Sequence, residues 1–298
     1  FINIDNNKDF DPSNVTNVIN RWIVYRTELT IKKVTSSIEE FKFNEASNEL
    51  YSFIWHIFCD WYIELVKPYL YDNNHNYNIE SQACCAWVLK NILHILHPFM
   101  PFITEEIWSQ AKETSKSDSF KPLIIRNWPE ESENNLIFIE ANREVEWLID
   151  VVSKIRSVRS ELNILQNIEL SAFFFSKDKK EIEYFNNNAY LIKRLSKLSS
   201  INSIEDESFD GVKIIIGNSL IYLSVSGAID FDREINRINK LVSLNQIEIN
   251  KVDRKVSNKK FLINAPSQVV EKQKKLLIKL KEDNKKLLDS LSKLSNLK

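Results

Sequence analysis

The sequence predicts a mainly α-helical protein in three parts: a helical bundle over residues 1–129, a small α+β subdomain over 130–228, and an antiparallel two-helix coiled coil over 229–298. Three observations carry this. From about Asn14 to Trp108 apolar residues recur three and four apart, the period of a helix with one buried face. In the middle the pattern changes to alternation through Ile168, Leu170, Ala172 and Phe174, and Gly217-Asn218 sits between two apolar runs as a hairpin turn. Over the last seventy residues the spacing settles to 4, 3, 4, 3, the seam of a coiled coil.

The first helix is expected after Asp11-Pro12-Ser13, with Ser13 as N-cap, burying Val18, Trp22, Tyr25, Leu29 and Val34. A second, from about Asn44 to Val66, turns Leu50, Phe53, Ile54, Ile57, Phe58, Trp61 and Leu65 to the core, and Pro68 should end it. Asp72 to Asn76 reads as a loop before a third helix through Ala83, Trp87, Leu93 and Leu96 up to Pro98. Pro98 and Pro101 bracket a linker into a helix starting at Thr104, whose carboxylates Glu105 and Glu106 lie at the positive end of its dipole. Ser115 to Asp118 is loop-like, and Trp128-Pro129 closes the unit.

The α+β part should hold helices at about 139–162 and 179–197, a strand through Leu170, and two strands, 212–216 and 220–225, joined at Gly217-Asn218. In the arm the seam positions are Phe231, Ile235, Ile238, Val242, Asn245, Ile249, Val252 and Val256, answered by Val270, Gln273, Leu277, Leu280, Asn284, Leu287, Leu291 and Leu294. Residues 257–266 form a short return, with Pro266 suited to a first helical turn. Pairing Val256 with Gln273 and Ile235 with Leu294 also sets Asn245 against Asn284. Such a polar pair fixes register at some cost in stability, and solvation of both side chains is the alternative.

Composition narrows the function classes. At 298 residues, with 43% hydrophobic and 11% aromatic residues, the chain has surface enough for more than one core. Its three glycines, Gly211, Gly217 and Gly227, form no phosphate-cradling pattern, which sets aside nucleotide chemistry on a glycine-rich loop. Cys59, Cys84 and Cys85 are too few for a four-thiolate zinc site and read as reduced, cytosolic cysteines. No run of eighteen apolar residues suggests a membrane span, and a start on Phe1 reads as a fragment. Charge is uneven: residues 229–298 carry 17 Lys/Arg against 9 Asp/Glu, and the remainder 23 against 32. A basic end favours a polyanion through counterion release.

Candidate chemistry is sparse. His56, Asp60 and Glu64 lie one helical turn apart in pairs, a spacing open to acid/base or metal chemistry but better read as satisfying buried polar groups or supporting the bundle; His94 and His97, three apart, lack a third metal ligand and read as a helix-end pair. Cys59 among apolar neighbours reads as an inert core thiol. RNA contact is the stronger theme. Arg21 and Arg26 are candidates for phosphate or base-edge contacts, with bracing of the bundle the equal alternative for Arg21. Phe43 could stack an unpaired base or pack in the core, and Lys42 and Asn44 flank it. On the arm Arg233, Arg237, Lys240, Lys251, Arg254 and Lys255 fall outside the seam, as do Lys272, Lys275, Lys279 and Lys286, free to face a phosphate backbone; a solvated coiled-coil surface is the alternative for each alone, and accounts less well for the regional surplus.

The string from Phe58 to Lys67, FCDWYIELVK, preceded by Phe43-Asn44-Glu45-Ala46 and by Leu50 to Trp55, resembles the anticodon-binding helical domain of the valyl-tRNA synthetases. The segment His97 to Trp108 is similar to one shared with the isoleucyl and leucyl enzymes. Asp230 to Lys240, Lys255 to Phe261 and Ala265-Pro266 resemble the tRNA-contacting arm of the valyl enzymes, and the cysteine-rich tail of bacterial isoleucyl relatives is absent. Arg156, Arg159 and Glu161 resemble a family motif read as bracing a helix surface. The resemblance covers nearly the whole chain, most weakly from Lys177 to Asp210. It implies a helical bundle of the class I synthetase anticodon-binding type and valine tRNA as partner. It also implies a separate catalytic domain, which uses ATP and Mg through His-x-Gly-His and Lys-Met-Ser-Lys-Ser motifs that this sequence lacks; the only methionine is Met100. No cofactor, metal or catalytic residue is therefore expected in this chain, which should be inactive alone, monomeric and cytoplasmic.

Overall fold

Asn17, rather than Ser13, caps the first helix. The computed structural model describes residues 10–72, 74–113, 121–129, 138–207, 209, 211–225, 231–258 and 266–296. Asp11 caps a separate 3-10 turn, Pro12–Asn14, while Asn17 Oδ1 accepts the amides of Ile19 (2.8 Å) and Asn20 (3.3 Å) at the start of α1 (Val18–Glu39). The proline signal thus belongs to its own turn. Of the expected stripe Trp22 and Val34 are buried, while Val18, Tyr25 and Leu29 are half-exposed; Ile19, Ile23 and Ile31 take the core face instead. Thr27 and Thr30 are also buried, because their hydroxyls donate to carbonyls one turn back, at Ile23 and Arg26.

The second expected helix is a longer rod. α2 (Phe43–Tyr51) runs without interruption into a π-helical segment (Ser52–Tyr62) and then α3 (Ile63–Tyr71). Wider turns rotate each residue less than α-helical periodicity assumes, so faces read from a 3.6 period drift. Hence Phe53 and Tyr62 are buried, while Ile54, Ile57, Phe58 and Trp61 are only half-buried and Cys59, expected in the core, is exposed. Pro68 does not end the rod: it lies inside α3, three residues from its end, where a lost hydrogen bond disturbs only the last turn.

α4 (Asn78–Leu96) packs on α1 and α3, and α5 begins at Pro101 rather than Thr104 (Pro101–Glu113). Proline at a first helical position gives up an amide that has no partner there. Thr104 works inside the helix: its hydroxyl donates to the Met100 carbonyl (2.9 Å) and accepts from His97 Nδ1 (2.7 Å). A 3-10 turn (Leu123–Ile125) follows, then α6 (Ile139–Glu161). One core cluster joins Ile31, Val34, Ala46, Leu50 and Ile95, with Ile38, Leu96, Phe99 and Trp128 against it. The chain divides into two compact units, residues 1–149 and 150–298, the division falling inside α6.

In the second unit β1 (Leu170–Ser176), α7 (Lys179–Leu195), β2 (Leu198–Ser203), β3 (Val212–Ile216) and β4 (Ser219–Ser224) form a sheet of order β2-β1-β4-β3. β1 and β2 are parallel, joined through α7, and the other pairs are antiparallel. β2 was not expected, since its Ser-Ser-Ile-Asn-Ser run lacks apolar alternation. Asp178 caps α7, and Phe185 of α7 stacks on Phe174 of β1 at 4.1 Å. Gly217 turns the hairpin at φ 54°, and a Cβ there would lie 2.5 Å from the Glu181 carboxylate that accepts the Asn218 amide. Arg159 braces the interior rather than the surface: it is buried, donating to the carbonyls of Leu165, Ile168 and Lys197, while Arg156 donates to Leu195.

α8 (Phe231–Ser257) and α9 (Ser267–Asn296) pack on each other as the arm. Every described seam side chain from Ile235 to Val256 and from Val270 to Leu291 is buried or half-buried, and nearly all others are exposed. Residues 259–265 of the return, the Ser115–Asp118 loop, Asp230 and the side chain of Leu294 lie outside what is described. The two seam asparagines do not bond to each other: Asn245 Nδ2 donates to the Leu280 carbonyl (3.2 Å) and Asn284 Nδ2 to the Gln246 side chain (3.5 Å). Each thus grips the opposite helix beside its expected mate. No helix among the described residues is long and apolar enough to cross a membrane.

Candidate nucleic-acid interface

The turn between α1 and α2 presents two phenylalanines to solvent. α1 ends in a Schellman arrangement, with the Phe41 amide bonded to the Ile38 carbonyl (3.0 Å) and the Lys42 amide to the Ser37 carbonyl (2.7 Å). This closure requires a left-handed residue at position 41, a place suited to glycine, yet Phe41 stands there at φ 58°. Its ring is 81% exposed and meets Phe43 edge to face, centroids 6.3 Å apart. Phe43, 53% exposed, opens α2 and lines a largely apolar cavity of about 580 Å³ together with Thr35, Ile38, Pro98, Phe99 and Trp128. Trp128 is fixed in that wall by its Nε1, which donates to Thr35 Oγ1 (2.8 Å).

The other expected contacts of this unit divide in two. Asn44 is exposed, and its side-chain amide has no hydrogen-bond partner among the described residues. Lys42 is also exposed and pairs with Glu40 at 2.7 Å; that hydrogen bond holds the ammonium above, and the Glu40 carboxyl below, its ordinary pKa. Arg21 and Arg26 are engaged within the fold. Arg21 Nε donates to the Val15 carbonyl (2.9 Å) with the guanidinium 5.7 Å from the Phe138 ring, and Arg26 pairs with Glu146 at 3.0 Å. These contacts are those of braces.

On the arm Arg237, Lys240, Lys251, Arg254 and Lys255 are all exposed. Lys251 pairs with Glu248 at 3.6 Å, whereas Lys240, Arg254 and Lys255 form no ion pair with a described residue. Arg233 lies on α8, but its side chain is outside the described residues.

The histidines and cysteines offer no reaction centre. His56 pairs with Asp60 (3.3 Å) on an exposed face, and Glu64 pairs with Lys67. Burial, with Asp60 beside it, pushes the Cys59 thiol up; burial raises Cys85 to about 12 and Cys84 further. All three are therefore protonated near neutrality. Among the described residues no three His, Cys, Asp or Glu side chains are placed to hold a metal ion.

Comparison with known proteins agrees with this arrangement. Residues 20–174 match the family described as the anticodon-binding domain of tRNA ligase, and residues 230–295 match the valyl tRNA synthetase tRNA binding arm. The chain belongs to the valyl-tRNA synthetase family. Among its relatives is the valine–tRNA ligase of Bartonella henselae, 35% identical over 291 residues, which are 98% of this chain and 32% of that protein. Those of Brucella suis and Caulobacter vibrioides are both 34% identical, over 92% and 96% of the chain and 30% and 32% of their own lengths. The chain thus spans about a third of the valyl-tRNA synthetase relatives it matches, and the catalytic domain is not within it. Both matched domains are tRNA-recognition domains. Sequence reasoning named Phe43 as a candidate and did not name Phe41, whose signal is an aromatic residue two positions before a helix start, where the preceding helix needs a left-handed closure.

Proposed function

We propose that this chain is the tRNA-recognition portion of a valine–tRNA ligase. The helical bundle takes the anticodon loop of valine tRNA, and the basic arm grips the elbow or nearby backbone. Together they orient the acceptor end toward a catalytic domain that uses ATP and Mg, so their contribution to rate is positioning. The chain works as a cytoplasmic monomer. One observation carries the reading: Phe43 is exposed at the lining of an apolar cavity with the exposed Phe41 edge-on beside it, aromatic faces on which unpaired bases can stack. Lys240, Arg254 and Lys255 of the arm, exposed and in no ion pair with a described residue, supply the sequence-independent attraction that such a site needs.

A second reading, the arm as an oligomerisation hairpin, draws on exposed apolar side chains beside the seam, including Leu244, Ile247 and Ile278. Nuclease footprinting on valine tRNA separates the two. Protection at both anticodon loop and elbow is the expected result. Self-association of the chain with no footprint would overturn the tRNA reading.

A further inference from the structure

Residues 126–129 form a common wall between two cavities. Trp128 faces the apolar cavity beside Phe43, while Arg126, Asn127 and Pro129 line a second, polar cavity of about 400 Å³. Three cations meet there: Lys90 from α4, and Lys121 and Arg126 from the segment after α5. Lys90 and Lys121 are exposed and form no ion pair with a described residue. The Arg126 guanidinium lies 5.6 Å from the centroid of Trp108, an indole only 2% exposed.

The cavity is built and not a chance meeting of surface side chains. Trp108 Nε1 donates to the Lys121 carbonyl (3.1 Å), which ties the segment to α5. Glu105 accepts the amides of Leu123 (2.9 Å) and Ile124 (3.3 Å), which fixes the same segment against α5. His94 stands edge-on to Trp108 at 5.3 Å, and its Nδ1 lies 2.7 Å from the Lys90 carbonyl. A carbonyl can only accept, so Nδ1 carries the proton. Burial first, with the charges of Lys90, Arg126 and His97 adding to it, holds His94 below its ordinary pKa against the raising effect of its hydrogen bond to the Lys90 carbonyl.

We infer that this second cavity takes a backbone phosphate of single-stranded RNA, next to the nucleotide whose base enters the apolar cavity on the other side of Trp128. The inference rests on the tRNA reading and adds to it a phosphate contact from Lys90, Lys121 and Arg126. Residues 126 to 128 span roughly 7 Å when extended, and Arg126 is extended at φ −83°, ψ 152°. That length matches a base on one side of the wall and its own or a neighbouring phosphate on the other.

The test is the salt dependence of binding to valine tRNA, comparing the chain with its Lys90→Gln/Lys121→Gln variant. Arg126 is left intact to preserve its stack on Trp108. A phosphate contact to a single strand contributes about −0.7 to the slope of log affinity against log salt, so losing this one contact should make the variant's slope shallower by up to about 0.7. Affinity should fall about tenfold at low salt, by the same factor for valine tRNA and a non-cognate tRNA, with an unchanged melting temperature. Wild-type slope in the variant overturns the phosphate site and leaves the tRNA reading standing. Lost affinity with an unchanged slope overturns it as well. Failure of the unaltered chain to bind tRNA at all overturns both.

Discussion

Phe41 meets Phe43 edge to face, 6.3 Å and 81° apart, and does so from a left-handed backbone position that glycine would occupy at lower cost. A non-glycine residue there gives up about 1 kcal/mol. We expect the strain to be kept for a contact that the exposed ring makes outside the fold. Phe41→Gly should therefore raise stability by up to about 1 kcal/mol, seen as a higher thermal midpoint, since it relieves the backbone and uncovers no core. The same variant should weaken binding to valine tRNA by about 1–3 kcal/mol, the scale of one base on one aromatic ring. A more stable variant that binds as well as the original would show that the ring has no role in recognition.

Glu80 links α4 to the start of α1. Its carboxylate accepts the amides of Thr16 (2.9 Å) and Asn17 (3.0 Å) and the Asn20 side chain (2.8 Å), and Asn20 in turn meets Ser81 and Tyr62. Burial alone would raise this group, but its hydrogen bonds outweigh that and bring it below the ordinary 4.5. A carboxyl lowered by folding stabilises the fold above its unfolded pKa, and that contribution is lost as pH falls through the folded one. Glu80→Gln sets an amide against donors already in place and should cost about 1–3 kcal/mol near neutral pH. Chemical unfolding of both proteins across pH 3 to 7 checks this: the gap should narrow below about pH 4.5, and a pH-independent gap would contradict it.

The cysteines give a direct check on the π-helical segment. Cys59 is exposed, while Cys84 and Cys85 are buried between helices. A thiol reagent at pH 7 to 8 should label one cysteine per native chain and three after unfolding. Its rate should be below that of a free thiol, because burial and Asp60 raise the Cys59 pKa. Cys59→Ser should remove the native labelling entirely.

What the sequence made legible follows from how local each cause is. The arm seam was readable to the residue, because one apolar stripe is all that holds two helices together. The hairpin at Gly217 was readable because only a few residues accept its backbone angles. The rod from Phe43 to Tyr71 was not, since the change to π turns at Ser52 leaves no residue-type signature and moves Cys59 out of the core. β2 is polar, and pairing with β1 rather than side-chain pattern makes it a strand. At the candidate site Phe43 was visible by position, whereas the bracing of Arg21 and Arg26 depends on Phe138 and Glu146, more than a hundred residues away.

Arm charge should act additively and without regard to sequence. Replacing Lys240, Arg254 and Lys255 together with Gln removes three exposed cations that form no ion pair with a described residue. If each meets a phosphate of duplex RNA, the salt slope of tRNA binding should fall by up to about 2.7, taking about 0.9 per contact. Binding to an isolated anticodon stem-loop should not change. A loss shared equally by stem-loop and whole tRNA would place those contacts elsewhere.

Asn284 is the most buried described seam residue of α9, and its Oδ1 finds no hydrogen-bond partner among the described residues, while its amide reaches Gln246 only at 3.5 Å. A buried acceptor left unmatched costs about 1–3 kcal/mol, and an apolar seam side chain in its place removes that cost. Asn284→Leu should therefore stabilise the arm by about 1 kcal/mol or more, read as a higher midpoint for the helical signal of the second unit. The gain should come with looser register, since one fewer directional contact would then join Asn245 on Leu280 and Lys281 near Asp253 in fixing it. Cysteines placed at Gln246 and Asn284 should cross-link efficiently in the unaltered register, and cysteines at 246 and 288, one turn farther along α9, should not. If Asn284→Leu lowered the midpoint, the asparagine would be a net stabiliser of the seam, and its hydrogen bond to Gln246 would have to outweigh the unmatched oxygen.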